Sequence, residues 1–278
     1  MRINHNVPSI ITQNALASNN RALGKDLEKL STGLRINRAS DDAAGLAVSE
    51  GLRTQIRGVE QAKKNAMDGI SALTIAEGAM NEIHAILQRQ RELAVQSSTA
   101  TYTSIERGYM NTEYSQLTQE IDRIVSVTNF NKLGLLGASH DNGQIFAGRT
   151  DDHIQADANA SGANLIDVTY GSVDTSSLAI GVSSTANAQT SITNIDSVIQ
   201  KISESRANIG AYINRLESTV NNLTVSSANQ TNAESQLRDV DFAYQSSQFT
   251  KNQILMQSAT AMLSQANSAP QSVLSLLR

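Results

Sequence analysis

ITNIDSVIQKISESRANIGAYINRLESTVNNL, residues 192–223, is the stretch that decides the fold. Its apolar residues fall at Ile192, Ile195, Ile199, Ile202, Ile209, Ile213, Leu216, Val220 and Leu223, three and four apart in alternation, and only Arg206 breaks the series. That spacing draws one narrow apolar stripe along a helix, the pattern of helices that pack as coiled coils. So regular a seam does not suit a globular enzyme. Past Leu223 the same line carries Ser227, Gln230 and Glu234, and the apolar seam ends.

Working outward, residues 46–98 form a second helical run with Leu52, Ile56, Val59, Ala66, Ile70, Leu73, Met80, Ile83 and Leu87 on its apolar side. Unbroken, it would span roughly 80 Å at about 1.5 Å per residue. Gly51, Gly58, Gly69 and Gly78 lie inside it, each weakening a helix by up to about 1 kcal/mol. Packing must therefore hold it. A third run carries Met110, Tyr114, Leu117, Ile121 and Ile124, and NFNKLGLLG at 129–137 ends it with Asn and Gly. Residues 138–187 change texture to Gly, Asp, Ser and Thr, with short apolar runs at 144–147, 165–170 and 178–182 that read as strands or hairpins.

The two ends are again helical. Leu16, Leu23, Leu27, Leu30 and Leu34 form a seam near the start; Leu255, Met262, Leu263, Val273, Leu274 and Leu277 make the last segment apolar. Polar residues at 37–45 interrupt the first of these, with Arg35, Arg38, Asp41 and Asp42 reading as helix caps and dipole partners. The fold expected is mainly α: a long antiparallel helical bundle or coiled coil with paired terminal helices and a small central β-hairpin region. Its segments are 1–42, the N-terminal part of an inner helical domain; 43–137, the N-terminal part of a long-helix rod; 138–188, a short β/turn insert; 189–234, the C-terminal part of the rod; and 235–278, the C-terminal part of the inner domain. A chain of this pattern doubles back and brings its ends together. The leucines at both ends are read as pairing between molecules, not within one.

Composition excludes several classes. With no Trp, four Phe and six Tyr, the 278 residues lack the aromatic area of an ordinary globular core. A formal charge of −4 without a basic cluster gives no nucleic-acid footprint, and no apolar run is long enough for a membrane span. The absence of cysteine removes disulfides, thiolate zinc sites and thiol catalysis together. The first residues, MRINHN, lack the basic and apolar regions of a cleavable signal. His5, His84, His140 and His153 have no partner at relay or ligand spacing, and the stretch Asp151-Asp152-His153 with Asp157 lacks the pattern of a calcium loop. No catalytic residue, cofactor or metal is expected.

Motifs at both ends resemble those of bacterial flagellins. LSTGLRIN at 30–37 and DDAAGLA at 41–47 are similar to the N-terminal motif of that family; QIL at 253–255, LSQAN at 263–267 and PQSVLSLLR at 270–278 are similar to its C-terminus. The resemblance covers roughly 1–137 and 190–278 and implies a filament subunit for motility, exported through the flagellar type III channel without signal cleavage. Its implied partners are other copies of itself, the flagellar export apparatus, an export chaperone and the hook-associated and cap proteins, with the extracellular filament as its location. The short middle implies a thin filament with little outer decoration. QRQRELAVQS at 88–97 is similar to the patch by which Toll-like receptor 5 detects many flagellins, which would make Arg89, Leu93 and Glu113 contact residues; packing between subunits is the competing role for that patch. Two alternatives remain: a hook–filament junction protein, and a cytoplasmic coiled-coil adaptor, whose heptads would continue through the middle.

Overall fold

The seam that opens the sequence reading lies in the longest C-terminal helix of the computed structural model, which describes residues 6–136, 153–155, 165–168 and 176–276. In chain order the elements are α1 (Val7–Thr32), α2 (Ala43–Ser98), α3 (Ser104–Val127), β1 (Asn129–Phe130), β2 (Leu133–Gly134), β3 (His153–Gln155), β4 (Leu165–Asp167), a 3-10 helix (Ser176–Ile180), α4 (Thr185–Arg238) and α5 (Phe242–Leu276). They form two compact units, Met1–Thr54 with Asn229–Arg278, and Gln55–Ala228. Both divisions fall inside α2 and α4, whereas the sequence segments were drawn where the periodicity breaks, at 42/43 and 234/235.

In the second unit α2 buries Val59, Ala62, Ala66, Leu73, Ala76, Met80, Ile83 and Leu87, three, four or seven apart. Facing this core, α4 buries Ala188, Ser191, Ile195, Val198, Ile202, Ser205, Ile209, Leu216 and Leu223. The line through Ile195, Ile202, Ile209, Leu216 and Leu223 is the one read from sequence. The alternate positions are not: Val198 and Ser205 are buried, while Ile192, Ile199, Ile213 and Val220 are partly buried at the core's edge. The reason is a third helix. Tyr114 and Ile121 of α3 are buried in the same core, with Met110, Leu117 and Ile124 packed against it, so α4 meets more than one neighbour and buries a stripe wider than a two-helix seam. Arg206 therefore sits beside the seam, where its guanidinium meets Glu77 at 3.2 Å. Each buried Leu or Ile contributes about 1.5–3 kcal/mol, which holds α2 helical through Gly58, Gly69 and Gly78.

At the end of α3 the chain makes a two-residue hairpin, with Asn129 opposite Gly134 and Phe130 opposite Leu133. Its corner residues Asn131 (φ 50°) and Lys132 (φ 68°) both take positive φ, as a type I′ turn requires. Leu135 and Leu136 then turn inward and are buried. Lysine is strained in that conformation, so Lys132→Gly is expected to raise the urea-unfolding free energy by about 1 kcal/mol.

Of the three strands read in the insert, 144–147 lies outside the described residues. The second appears as β4, antiparallel to β3 with Ile154 opposite Ile166. The third is corrected: Ser176–Ile180 is a 3-10 helix. It is followed by a tightly held return into α4. Gly181 has φ +71°, and Val182 donates from its N–H to Asn111 Oδ1 at 2.8 Å while its carbonyl accepts from Ser97 Oγ at 2.6 Å. Ser191 Oγ donates to the Gly181 carbonyl at 2.7 Å. Backbone groups so satisfied by buried side chains leave residues 178–182 no ladder to join.

The first unit is joined differently. Gly33, at φ 72°, caps α1, its N–H reaching the Lys29 carbonyl. Asp42 Oδ1 accepts from the Gly45 N–H at 2.8 Å and so caps α2; Asp41 accepts from the Asn37 and Arg38 N–H groups. A Cβ on Gly45 would lie 2.4 Å from Asp42 Oδ2 and 2.9 Å from Ile36 Cδ1. Leu34 bridges Asp239, Arg35 donates from its N–H to the Arg238 carbonyl at 2.6 Å, and Val240 returns a bond to Gly33. Arg238 reaches Glu50 at 2.7 Å. Capping of α2 is thus the work of Asp42, while Asp41 holds the turn that precedes it.

The backbone bonds to Asp41, that from Arg38 first, hold its carboxyl below the ordinary value of 3.8. A carboxyl depressed in the folded state adds stability that is complete above its unfolded value and is lost as pH falls through the folded one. This turn is expected to loosen below about pH 4, and Asp41→Asn to flatten that part of an acid titration followed by circular dichroism.

Candidate assembly interface

Helices α1 and α5 lie antiparallel within one chain. Asn6 Nδ2 donates to the Ala266 carbonyl at 2.8 Å, Ser9 Oγ donates to Asn267 Oδ1 at 2.8 Å, and at the other end Leu34 bridges Asp239. The expectation that the terminal helices pair between molecules is corrected in this respect: they pair first with each other. Short backbone bonds at Gly33, Arg35 and Val240 bring the two helices side by side, so an intramolecular partner is always at hand.

The partly covered seam on α1 runs Ser9, Thr12, Leu16, Asn19, Leu23, Asp26 and Leu30. On α5 it runs Gln245, Phe249, Asn252, Met256, Ala259, Leu263 and Ala266, again three and four apart. Of the residues named from sequence, Leu16, Leu23, Leu30 and Leu263 belong to this seam. Leu34 is half-buried in the bridge beyond it. Leu27, Leu255 and Met262 do not belong: they are 58 %, 41 % and 59 % exposed and point away, beside Ile10, Ile11 and Ile254. Val273 and Leu274 fall in α5, their side chains outside the described residues, as is the whole of Leu277.

The contrast with the other unit is large. No residue of α1 is buried, and among the described residues of α5 only Gln245 is. Two helices of 26 and 35 residues therefore form no core of their own, while large apolar side chains face water on both. Helices in that state gain most of their stability from a partner that covers the exposed face. The sequence reading missed Ile10, Ile11 and Ile254 because it followed one stripe per helix. The adjacent pairs Ile10-Ile11 and Ile254-Leu255 were the available signal, since neighbours on a helix cannot both face one narrow seam.

One charged side chain sits within the pairing seam. Asp26 Oδ1 accepts from Gln245 Nε2, and Asp26 Oδ2 accepts from Asn252 Nδ2, each at 2.6 Å. Gln245 is 6 % exposed, so its amide would be costly to leave unpaired.

The patch at 88–97 divides. Arg89 is half exposed and pairs with Glu113 at 2.8 Å and Glu92 at 3.1 Å, carboxylates that hold the guanidinium pKa above its ordinary value. Leu93 is 2 % exposed and belongs to the core of the second unit. It is therefore unavailable as a surface contact, a correction to its expected role. Gln90 is buried too, donating to Thr118 Oγ1 at 2.8 Å and to the Tyr114 carbonyl at 3.3 Å, and so braces α2 against α3. Leu93→Ala is expected to destabilise the unit by about 2–4 kcal/mol in urea unfolding, which would confound any binding assay that used it.

Among the described residues no helix is long and apolar enough to cross a membrane, and no three His, Cys, Asp or Glu residues gather at metal-binding distance. Family comparisons place the chain by its ends. Residues 3–141 match the bacterial flagellin N-terminal helical region, and residues 192–277 match the bacterial flagellin C-terminal helical region. A flagellin of Halalkalibacterium halodurans is 45 % identical over the whole of both chains. A flagellar filament 33 kDa core protein of Treponema phagedenis is likewise 45 % identical over all of both. A crystal structure of Bacillus cereus flagellin is 30 % identical and covers 62 % of this chain and 94 % of its own, with a TM-score of 0.49. With two family matches at its ends and relatives 45 % identical that it matches along their whole length, the chain belongs to the bacterial flagellin family, structural subunits of the flagellar filament.

Proposed function

We propose that this flagellin polymerises by burying the outward faces of α1 and α5, lined by Ile10, Ile11, Leu27, Ile254, Leu255 and Met262, against other copies of itself. One observation carries the reading: a terminal helix pair with no apolar core and large apolar side chains left in water. Covering six such side chains supplies on the order of 10 kcal/mol, comparable with the cost of fixing a subunit in place. Contacts of this kind, made head to tail and side by side, generate open helical polymers. The filament stands outside the cell and serves motility. The subunit reaches it unfolded through the flagellar export apparatus, handed on by an export chaperone, and is placed under the cap proteins; its role is structural and involves no catalysis. Removing residues 273–278 tests the role of the C-terminal end: a soluble subunit that forms no filaments by electron microscopy is expected, and filaments of ordinary length would refute it.

Detection by Toll-like receptor 5 is a second role, supported by the exposed Arg89–Glu113 pair and by the resemblance of residues 88–97. A receptor-reporter assay on monomer carrying Arg89→Glu should lose most of its signal. An undiminished response would leave this patch with packing alone.

A further inference from the structure

The seam between α1 and α5 holds a donor–acceptor pattern that only these two helices complete. Asp26 is an acceptor with no proton to give when ionised, and it takes one bond on each carboxylate oxygen, from Gln245 and from Asn252, both at 2.6 Å. Residues 245 and 252 are two helical turns apart on the same line of α5, so the carboxylate is held between them. We infer that Asp26, Gln245 and Asn252 are the specificity determinants of terminal-helix pairing, selecting α1 with α5 over every other pairing of these helices. The inference rests on the reading that the terminal helices drive polymerisation.

Selectivity is needed here because apolar contact supplies none. The seam has few large side chains, Leu16, Leu23 and Leu30 on α1 and Phe249, Met256 and Leu263 on α5, and large apolar side chains such as Ile10, Ile11, Ile254 and Met262 also lie outside it. In a growing polymer many copies of both helices come together, and apolar stripes alone would let α1 meet α1 or α5 meet α5. An α1–α1 pair brings a carboxylate from each copy into the seam, where Asn19 is the one amide along the α1 line, against the two that Gln245 and Asn252 supply from α5. An α5–α5 pair leaves Gln245 buried without its acceptor. A polar residue in a coiled-coil seam sets partner choice in this way while giving up some stability. The backbone bonds at Gly33, Arg35 and Val240 fix where the two helices begin side by side; the Asp26 site lies further along α1 and fixes which faces meet.

Exchanging the charge between the helices tests this. Three variants are compared, Asp26→Asn, Asn252→Asp and the two together. Each carries Ser9→Cys and Asn267→Cys, whose side chains meet across the pair in a chain that otherwise has no cysteine. Elongation from unmodified filament seeds is followed, and a short bismaleimide then reports whether cross-links form within a chain or between chains. Asn252→Asp sets two carboxylates face to face and should slow elongation at least tenfold, with interchain α1–α1 and α5–α5 products appearing. Asp26→Asn should show the same products with a smaller slowing. The double exchange restores one carboxylate facing one amide, and should recover elongation to within about threefold and return the cross-link to the single chain. A double variant as impaired as the worse single, or single variants that elongate and cross-link like the parent, would overturn the proposal. An arm carrying Leu255→Asp with Met262→Asp in the parent background keeps the two ideas apart. Its unimpeded elongation would sink the polymerisation reading, whatever the exchange shows.

Discussion

Replacing Leu255 and Met262 together with aspartate is expected to abolish filament growth while leaving the subunit folded. The two side chains are 41 % and 59 % exposed in the single chain and belong to no buried core, so urea unfolding of the core should shift by less than about 0.5 kcal/mol. In a polymer the same positions would be covered. Burying an unpaired carboxylate costs several kcal/mol, and two of them should raise the concentration needed for assembly by at least about a thousandfold. Sedimentation of the variant with parent seeds checks this. Pelleting at the parent's concentration would show that the outward face of α5 stays exposed in the polymer.

The second large effect is expected at Gly181. Its φ of +71° lies in the left-handed region that strains a β-branched side chain, and a Cβ there would stand 2.4 Å from Asn111 Oδ1. That oxygen accepts from the Val182 N–H, so Gly181→Val adds backbone strain and breaks the bond that seats the start of α4. Strain of about 1–3 kcal/mol and a buried donor left unpaired at about 1–3 kcal/mol sum to a loss of roughly 2–6 kcal/mol. Urea unfolding measures it, with Asn111→Ala expected to lose only the hydrogen-bond part. Equal losses in the two variants would mean that Gly181 carries no strain of its own.

How much of this was legible in the sequence depended on the kind of force involved. Helices held by repeated apolar burial were plain: the existence of α2, α3 and α4 and the line through Ile195 and Leu223 follow from spacing, although α3 begins at Ser104 and α4 at Thr185, ahead of the first apolar residues of each run, Met110 and Ile192. Which flank of that line is buried was not, because it depends on where α3 packs, and α3 lies some eighty residues away in the chain. Ile199 and Val198 look alike as apolar residues; only the third helix distinguishes them. The capping box of α3, Thr103 with Glu106, was readable from its T-x-x-E spacing and passed unnoticed among polar residues. The hairpin at Asn131-Lys132 gave less warning, since lysine is a poor residue for a positive φ. Residues 178–182 read as a strand because they are short, apolar and bounded by turns. Buried side chains of other helices hold their backbone instead, which no local pattern reveals.

The site divided along the same line. Seam leucines such as Leu16 and Leu263 were found because they keep a helical period, and Leu27, Leu255 and Met262 were placed with them because sequence shows that a residue is apolar but not which way it faces. Leu93 was misjudged in the opposite sense: motif resemblance put it on a surface, and three-helix packing buries it. Asp26 went unseen because a lone aspartate on a helix is ordinary. Its meaning lies in Gln245 and Asn252, more than two hundred residues away.

The central claim is that the outward faces of the terminal helices are the surfaces that polymerisation covers. A single cysteine at Met262, in a chain that has none, tests it most directly through its rate of maleimide labelling in free subunits and in assembled filaments. The account predicts fast labelling of the subunit, where this position is 59 % exposed, and protection of at least about a hundredfold once filaments form. Equal labelling in both states would contradict it.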